Sequence, residues 1–155
     1  MTETRAQTES GTALTVAADV LQSAINGPGH LSRRLFQTHG KLWQQSVDDE
    51  LTGPQFTVLG VLCLEGPMDQ RTLGEHARLD KSTTTPLLER LRQRDLIHIT
   101  RGSADKRRKI LSITDEGRRL VAETAPVAVD IGDRLLAPLS DAEQEQLLQL
   151  LRKIC

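Results

Sequence analysis

Between Leu96 and Ile113 the hydrophobic pattern of this chain changes period. Leu96-Ile97-His98-Ile99-Thr100 and Ile110-Leu111-Ser112-Ile113 are short and rich in β-branched residues, as strands are. Ile97 and Ile99 share one side, as do Leu111 and Ile113, because side chains alternate along a strand. The segment Arg101-Gly102-Ser103-Ala104-Asp105-Lys106-Arg107-Arg108-Lys109 joins them, so the pair reads as a hairpin with a long, charged tip. An isolated hairpin is marginal in water and needs helices to pack on. Everything before and after it has helical spacing.

Residues 1–12 read as a frayed polar terminus. Residues 14–25 read as a short helix, closed by Asn26-Gly27-Pro28-Gly29. A longer helix follows over roughly 29–48. Leu51-Thr52 reads as a staple and N-cap, with Pro54 tolerated in the first turn. That helix runs from Gln55 to about Glu65, with Val58, Leu59, Leu62 and Cys63 on its apolar side, and Gly66-Pro67 stops it. Asp69 caps a short helix through Leu73 and Ala77. A turn at Leu79-Asp80 leads to a helix over about 82–94. At 100° per residue, Thr84, Leu87, Leu88 and Leu91 fall on one side of it. Ser82, Thr83, Pro86, Arg90 and Gln93 fall on the other. After the hairpin, Thr114-Asp115-Glu116 opens a helix that Pro126 is expected to kink or break. Ser140-Asp141-Ala142-Glu143 is a capping box for a last helix whose apolar side carries Leu147, Leu148, Leu150, Leu151 and Ile154.

The net charge of −1 conceals an asymmetry. Residues 71–110 hold 11 Lys/Arg against 5 Asp/Glu, a balance of +6, which leaves −7 for the rest of the chain. A basic block in an acidic chain suits a polyanion. The absence of tyrosine, with one Trp and two Phe, argues against stacking on single-stranded nucleic acid. No P-loop, GxGxxG or GxSxG occurs, and Gly27-Pro28-Gly29 is a helix breaker rather than a phosphate cradle, so the sequence reads as a non-enzyme without a cofactor. The four histidines, at 30, 39, 76 and 98, show no metal-ligand spacing. His76 and His98 read as surface residues. Two cysteines, Cys63 and Cys155, are too few for a disulfide framework. With no signal pattern and no long apolar run, the expected location is cytoplasmic.

Helices followed by a two-stranded hairpin with a basic tip give the order of a winged helix. Leu51 to Gly117, nearly half the chain, resembles the MarR family of bacterial transcription regulators. The residues that carry the resemblance are Leu51-Thr52-x-x-Gln55-Phe56-x-x-Leu59 and Gln70-x-x-Leu73-Gly74-Glu75. They continue with Leu79-Asp80-Lys81-Ser82-Thr83-Thr84-Thr85-Pro86-Leu87-Leu88-Glu89-Arg90-Leu91 and Asp95-Leu96-Ile97. They close with Asp105-Lys106-Arg107-Arg108-Lys109 and Leu111-Ser112-Ile113-Thr114-Asp115-Glu116-Gly117. The resemblance implies a mainly α fold, a single domain over 1–155. A winged helix-turn-helix lobe with a two-stranded wing would span 51–114, and residues 14–50 and 115–155 would supply dimerisation helices. It further implies a homodimer on a palindromic double-stranded operator, with recognition helices in successive major grooves. Ser82, Thr83, Thr84, Pro86 and Arg90 fall on the recognition helix. Arg107 falls on the wing arginine of the minor groove, braced by Asp105; a wing tip with Arg107, Arg108 and Lys109 can reach the neighbouring backbone or a minor groove. Asp95 stands where the family usually has Gly, in a conformation that Asp tolerates. Pro86 is similar to the hydroperoxide-sensing branch.

The regulatory signal has three readings. Phe36, His39 and Trp43 lie within about 60° of one another on a helix, with Arg33 bordering them and Arg34 further round. An aromatic wall with a cation and an imidazole suits an aromatic carboxylate or its thioester, and resembles the aromatic-acid-responsive branch. The same stripe also reads as core packing. The second reading is thiol oxidation at Cys63 or Cys155, although residues 29–48 lack the first-helix cysteine of the hydroperoxide branch. The third is a DNA-binding protein with no effector.

Overall fold

The computed structural model describes residues 18–47, 51–101 and 108–154, which fall into two compact units, one ending at His39 and the other beginning at Gly40. The predicted polar terminus, the start of the 14–25 helix and the acidic run 48–50 lie outside the described residues. In the first unit residues 18–25 are helical (α1), and α2 (Pro28–Ser46) starts on Pro28. Proline suits a first helical position, where its fixed φ is already helical and no N–H is needed. The C-terminal part of α2 belongs to the second unit.

That unit continues through α3 (Gly53–Glu65), β1 (Met68–Asp69), α4 (Gln70–His76), α5 (Lys81–Gln93), β2 (Ile97–Arg101), β3 (Lys109–Ile113), α6 (Asp115–Leu136) and α7 (Asp141–Ile154). Thr52 caps α3 through a reciprocal box. The Gln55 N–H donates to Thr52 Oγ1 at 3.4 Å, and the Thr52 N–H donates to Gln55 Oε1 at 2.9 Å. Gly66, at φ 82°, ends the helix. The predicted hairpin forms with Ile97 opposite Ile113 and Ile99 opposite Leu111. One strand is added to the predicted pair. β1 pairs antiparallel with β3, giving the sheet order β1-β3-β2.

The core of this unit is aliphatic. Val58, Leu59 and Leu62 of α3, Leu73 of α4 and Leu91 of α5 are fully buried, with Ile97 and Leu111 of the sheet packed among them. Each such side chain contributes about 1.5–3 kcal/mol through loss of apolar surface to water. The end of α5 is pinned from both sides. The Leu96 N–H donates to the Leu91 carbonyl and the Asp95 N–H to the Arg92 carbonyl, each at 3.0 Å, and this is a Schellman closure. Asp95 sits at φ 55°, the left-handed conformation expected of it. Asp95→Gly should therefore stabilise the fold by about 0.5–1 kcal/mol, because glycine adopts this φ without strain. Chemical denaturation would measure the gain.

Thr114 latches α6 to the same corner. Its N–H donates to the Leu96 carbonyl at 3.1 Å, and its hydroxyl donates to the Asp95 carbonyl at 2.8 Å while accepting from Gly117 N–H at 2.9 Å. Asp115 and Glu116 lie in the first turn of α6, where the macrodipole favours negative charge. Pro126 does not break this helix. It is exposed inside a continuous 22-residue α6, while Thr124 and Ile131 stay buried on the packed side. Helix packing outweighs the single backbone bond that the ring removes. The Glu143 half of the α7 capping box forms, with the carboxylate accepting from the Ser140 N–H and hydroxyl. No residue of α7 is buried within the chain, and Leu150 and Ile154 are exposed.

Candidate nucleic-acid interface

The turn between α4 and α5 fixes the start of α5. Arg78 adopts φ 53°, and the Leu79 N–H donates to the Gly74 carbonyl at 2.9 Å. A side chain at Gly74 would meet the Leu79 carbonyl oxygen at 3.2 Å, so glycine permits this close return of the chain. The turn delivers Asp80 as the N-cap of α5, where its carboxylate accepts from the Thr83 N–H at 2.8 Å. It also takes the Ser82 hydroxyl at 2.5 Å and the Thr83 hydroxyl at 3.0 Å. The Ser82 hydroxyl, then the Thr83 N–H and hydroxyl, pull the Asp80 pKa down to about 2. Because this pKa lies below that of the unfolded chain, the bonds give their full stability above the ordinary carboxylate range. That stability is lost as the pH falls through about 2.

α5 divides as its spacing predicts. Thr84, Leu87, Leu88 and Leu91 are buried, and Ser82, Thr83, Pro86 and Arg90 are exposed. Thr84 is thereby corrected as a DNA-contacting candidate. It is 1% exposed, and its hydroxyl donates to the Asp80 carbonyl at 2.7 Å. Gln93 is tied to Glu89 at 3.0 Å, and Glu89 holds Arg92 through two bonds. Arg90, between them, projects from the exposed face.

The wing base is braced to α4. Arg108 is ion-paired with Asp69, which also caps α4 by accepting from the Arg71 and Thr72 N–H groups. The Thr72 N–H and the Arg108 guanidinium hold the Asp69 carboxyl below its usual pKa. Arg108, expected to reach the DNA backbone or a minor groove, is ion-paired within the protein while its side chain stays exposed. Gln70, the next residue, donates to Thr85 Oγ1 of α5 at 3.1 Å. Neither tie was apparent in the sequence, since the partners are 39 and 15 residues apart. Lys109 is exposed and pairs in register with Arg101. Asp105 and Arg107 lie outside the described residues.

The candidate ligand residues divide between the two units. Arg33, Arg34 and Phe36 are exposed on α2, Phe36 to 71%, and His39 is half-buried. Trp43, in the second unit, is packed as a core residue. It is buried, its indole N–H donates to the Leu51 carbonyl at 2.7 Å, and its ring lies 5.4 Å from that of Phe56. The core reading of the stripe holds for this residue. Cys63 is half-buried, with Arg118 Nη1 3.8 Å from its sulfur. Cys155 lies outside the described residues. Among the described residues no His, Cys, Asp or Glu cluster is placed to hold a metal ion. No described helix is long and apolar enough to cross a membrane.

The α4-turn-α5 unit is a helix-turn-helix, and β2–β3 is its wing. Together with α3 they define a winged DNA-binding lobe. The sequence pattern of the MarR family matches residues 50–108. Transcriptional regulator HosA of Escherichia coli is 35% identical over 125 residues, 81% of this chain and 92% of HosA. The PcaV transcriptional regulator of Streptomyces coelicolor, solved with its natural ligand, is 41% identical with a TM-score of 0.79, over 83% of this chain and 91% of that one. BpsR of Bordetella bronchiseptica, described in terms of regulation of its DNA binding by 6-hydroxynicotinic acid, is 35% identical with a TM-score of 0.77. That match covers 81% of this chain and 96% of BpsR. The chain belongs to the MarR family of DNA-binding transcription regulators.

Proposed function

We propose that the protein is a homodimeric repressor that binds a palindromic operator and leaves it when a small aromatic acid, or a thioester of one, binds. The observation that carries the DNA half is the exposed face of α5. It presents Ser82, Thr83, Pro86 and Arg90 beside a basic wing base. Arg90 is a donor fork for guanine in the major groove. By the family resemblance Arg107 is the wing residue we assign to the minor groove, with Lys109 available to the backbone or the same groove. Homodimerisation is supported by uncovered apolar side chains on the terminal helices: Val20, Leu21, Leu35, Val129, Leu148 and Ile154. A second copy of the same chain would cover them. A DNA-bound regulator of this family would act in the cytoplasm, as a regulator rather than an enzyme.

The effector half is supported by the ligand named for BpsR and the ligand-bound PcaV. Exposed Arg33, Arg34 and Phe36, with half-buried His39, supply matching chemistry on α2. Arginine suits the carboxylate and imidazole a ring hydroxyl. Ligand would shift the dimer toward a spacing of recognition helices that no longer fits successive grooves.

Fluorescence anisotropy on duplexes selected from a random pool tests the first half. Arg90→Ala and Arg107→Ala should each weaken binding about tenfold. Unchanged affinity in both would remove α5 and the wing from the interface. A thermal-shift screen against aromatic acids and their coenzyme A thioesters tests the second half, since a ligand selective for the folded state raises Tm. A hit should vanish in Arg33→Ala or His39→Ala. A dimer that binds DNA but shifts with none of them would move the signal to thiol oxidation at Cys63 or Cys155, or to no effector at all.

A further inference from the structure

α5 opens with four hydroxyl residues in a row, Ser82-Thr83-Thr84-Thr85, and the protons of all four have internal destinations. Ser82 Oγ lies 2.5 Å from Asp80 Oδ1, and Thr83 Oγ1 lies 3.0 Å from Asp80 Oδ2. Thr84 Oγ1 lies 2.7 Å from the Asp80 carbonyl oxygen, and Thr85 Oγ1 lies 3.1 Å from that of Lys81. Each of these partners is a carboxylate or carbonyl oxygen, which accepts and cannot donate. The shared proton in each pair is therefore the hydroxyl's own. Thr84 is buried, and Thr85 also accepts from Gln70. What remains toward solvent is the lone pairs of Ser82 and Thr83. Pro86 adds to the same polarity, because it has no N–H to give the Ser82 carbonyl one turn back.

We propose that Asp80 sets the base preference of α5: by taking the protons of Ser82 and Thr83 it makes both hydroxyls acceptors, which select adenine or cytosine. This deepens the reading of α5 as the recognition helix and rests on it. In the major groove only adenine N6 and cytosine N4 carry donor hydrogens. Guanine N7 and O6, thymine O4 and phosphate oxygens are all acceptors and would face lone pairs. The carboxylate stays ionised throughout the physiological range, held there by the Ser82 hydroxyl and the Thr83 N–H and hydroxyl. Its charge also offsets the positive end of the helix dipole, which would otherwise attract phosphate. Arg90 lies eight residues on, about 12 Å along the axis, and offers only donors. The exposed face thus has two ends of opposite hydrogen-bonding sense, an acceptor end for an amino-bearing base and a donor end for guanine.

The test is operator selection from a randomised duplex pool, using the full-length protein and three variants. Thr83→Val and Ser82→Ala locate the base pair that the hydroxyls read, as the position whose preference they erase. Asp80→Asn reverses the polarity of Thr83 alone. Asparagine caps a helix as well as aspartate does, so the fold is retained, and an unchanged melting temperature verifies it. Its carbonyl keeps the Ser82 hydroxyl and the Thr83 N–H. Its amide donates to Thr83 Oγ1 and turns the Thr83 proton toward the groove. The wild type should select adenine or cytosine at the located position. At the position that Thr83→Val erases, Asp80→Asn should move the ratio toward guanine or thymine by about fivefold, with a position read by Ser82 and all others unchanged. Three results overturn the proposal: a wild type that selects guanine or thymine there, an Asp80→Asn profile identical to wild type, or no position altered by Thr83→Val or Ser82→Ala. A wild type that enriches no duplex sequence overturns the recognition-helix reading itself, and the proposal with it.

Discussion

Gly117→Ala is expected to lower the melting temperature by about 6–12 °C at fixed protein concentration, through a loss of about 3 kcal/mol. The sign is opposite to that at an ordinary helical glycine, where alanine gains up to about 1 kcal/mol by limiting the unfolded chain. Gly117 lies in the first turn of α6 and is buried. A Cβ there would press on the Leu96 carbonyl oxygen, well inside van der Waals contact, and stand 2.8 Å from Ile113 Cγ1. Neither can retreat cheaply. The Leu96 carbonyl accepts the Thr114 N–H, and Ile113 is 7% exposed in the core beside β2. The same corner holds the Schellman closure of α5, so a displacement there would also tilt the recognition helix. Gly60→Ala in α3 is the control, because a side chain at Gly60 meets nothing within 4 Å. Gly60→Ala should leave Tm unchanged or raise it. Equal melting of wild type and Gly117→Ala would show that the corner yields, and would remove the close approach as the reason for glycine.

What the sequence made legible was local. The shift from helical to alternating spacing located the hairpin and the side that each of its isoleucines and leucines shares. Thr52, Asp69 and Thr114 announced helix starts, and the family resemblance implied the left-handed exit from α5 at Asp95. The two faces of α5 followed from 100° per residue alone. What escaped was tertiary. A two-residue strand such as β1 is too short to carry a period, and only its pairing with β3 defines it. The Asp69–Arg108 tie joins residues whose separation no pattern encodes, and it gives a wing cation a partner within the protein. Pro126 does not break α6; a local breaker rule does not weigh the packing on either side of it. Asp80 read only as part of a turn. That it grips two hydroxyls as well as a backbone N–H depends on rotamers set by the fold.

Trp43 shows the same division, and its replacement has the second large expected effect. Helical spacing puts it on a stripe with Phe36 and His39, but spacing cannot say what covers the stripe. In the structure the ring is 7% exposed, tilted 49° against Phe56, and its N–H is bonded to the carbonyl of Leu51, itself 2% exposed. Trp43→Ala should therefore cost about 3–5 kcal/mol in denaturant unfolding, from lost packing and the cavity left behind. Trp43→Phe keeps most of the packing but leaves the Leu51 carbonyl without its indole donor, so about 1–2 kcal/mol is expected. This ordering, alanine well below phenylalanine and both below wild type, is what a core residue gives. A residue that only lines a ligand site gives the reverse signature: wild-type stability in the free protein, with the ligand-induced rise in Tm abolished. If Trp43→Ala unfolds at the wild-type denaturant concentration, the ring is not holding the end of α2 to the start of α3, and the ligand-wall reading returns. If it unfolds early, any loss of effector response in that variant says nothing about contact with the ligand. The exposed Arg33 then becomes the informative position, because its removal leaves the core of the second unit intact.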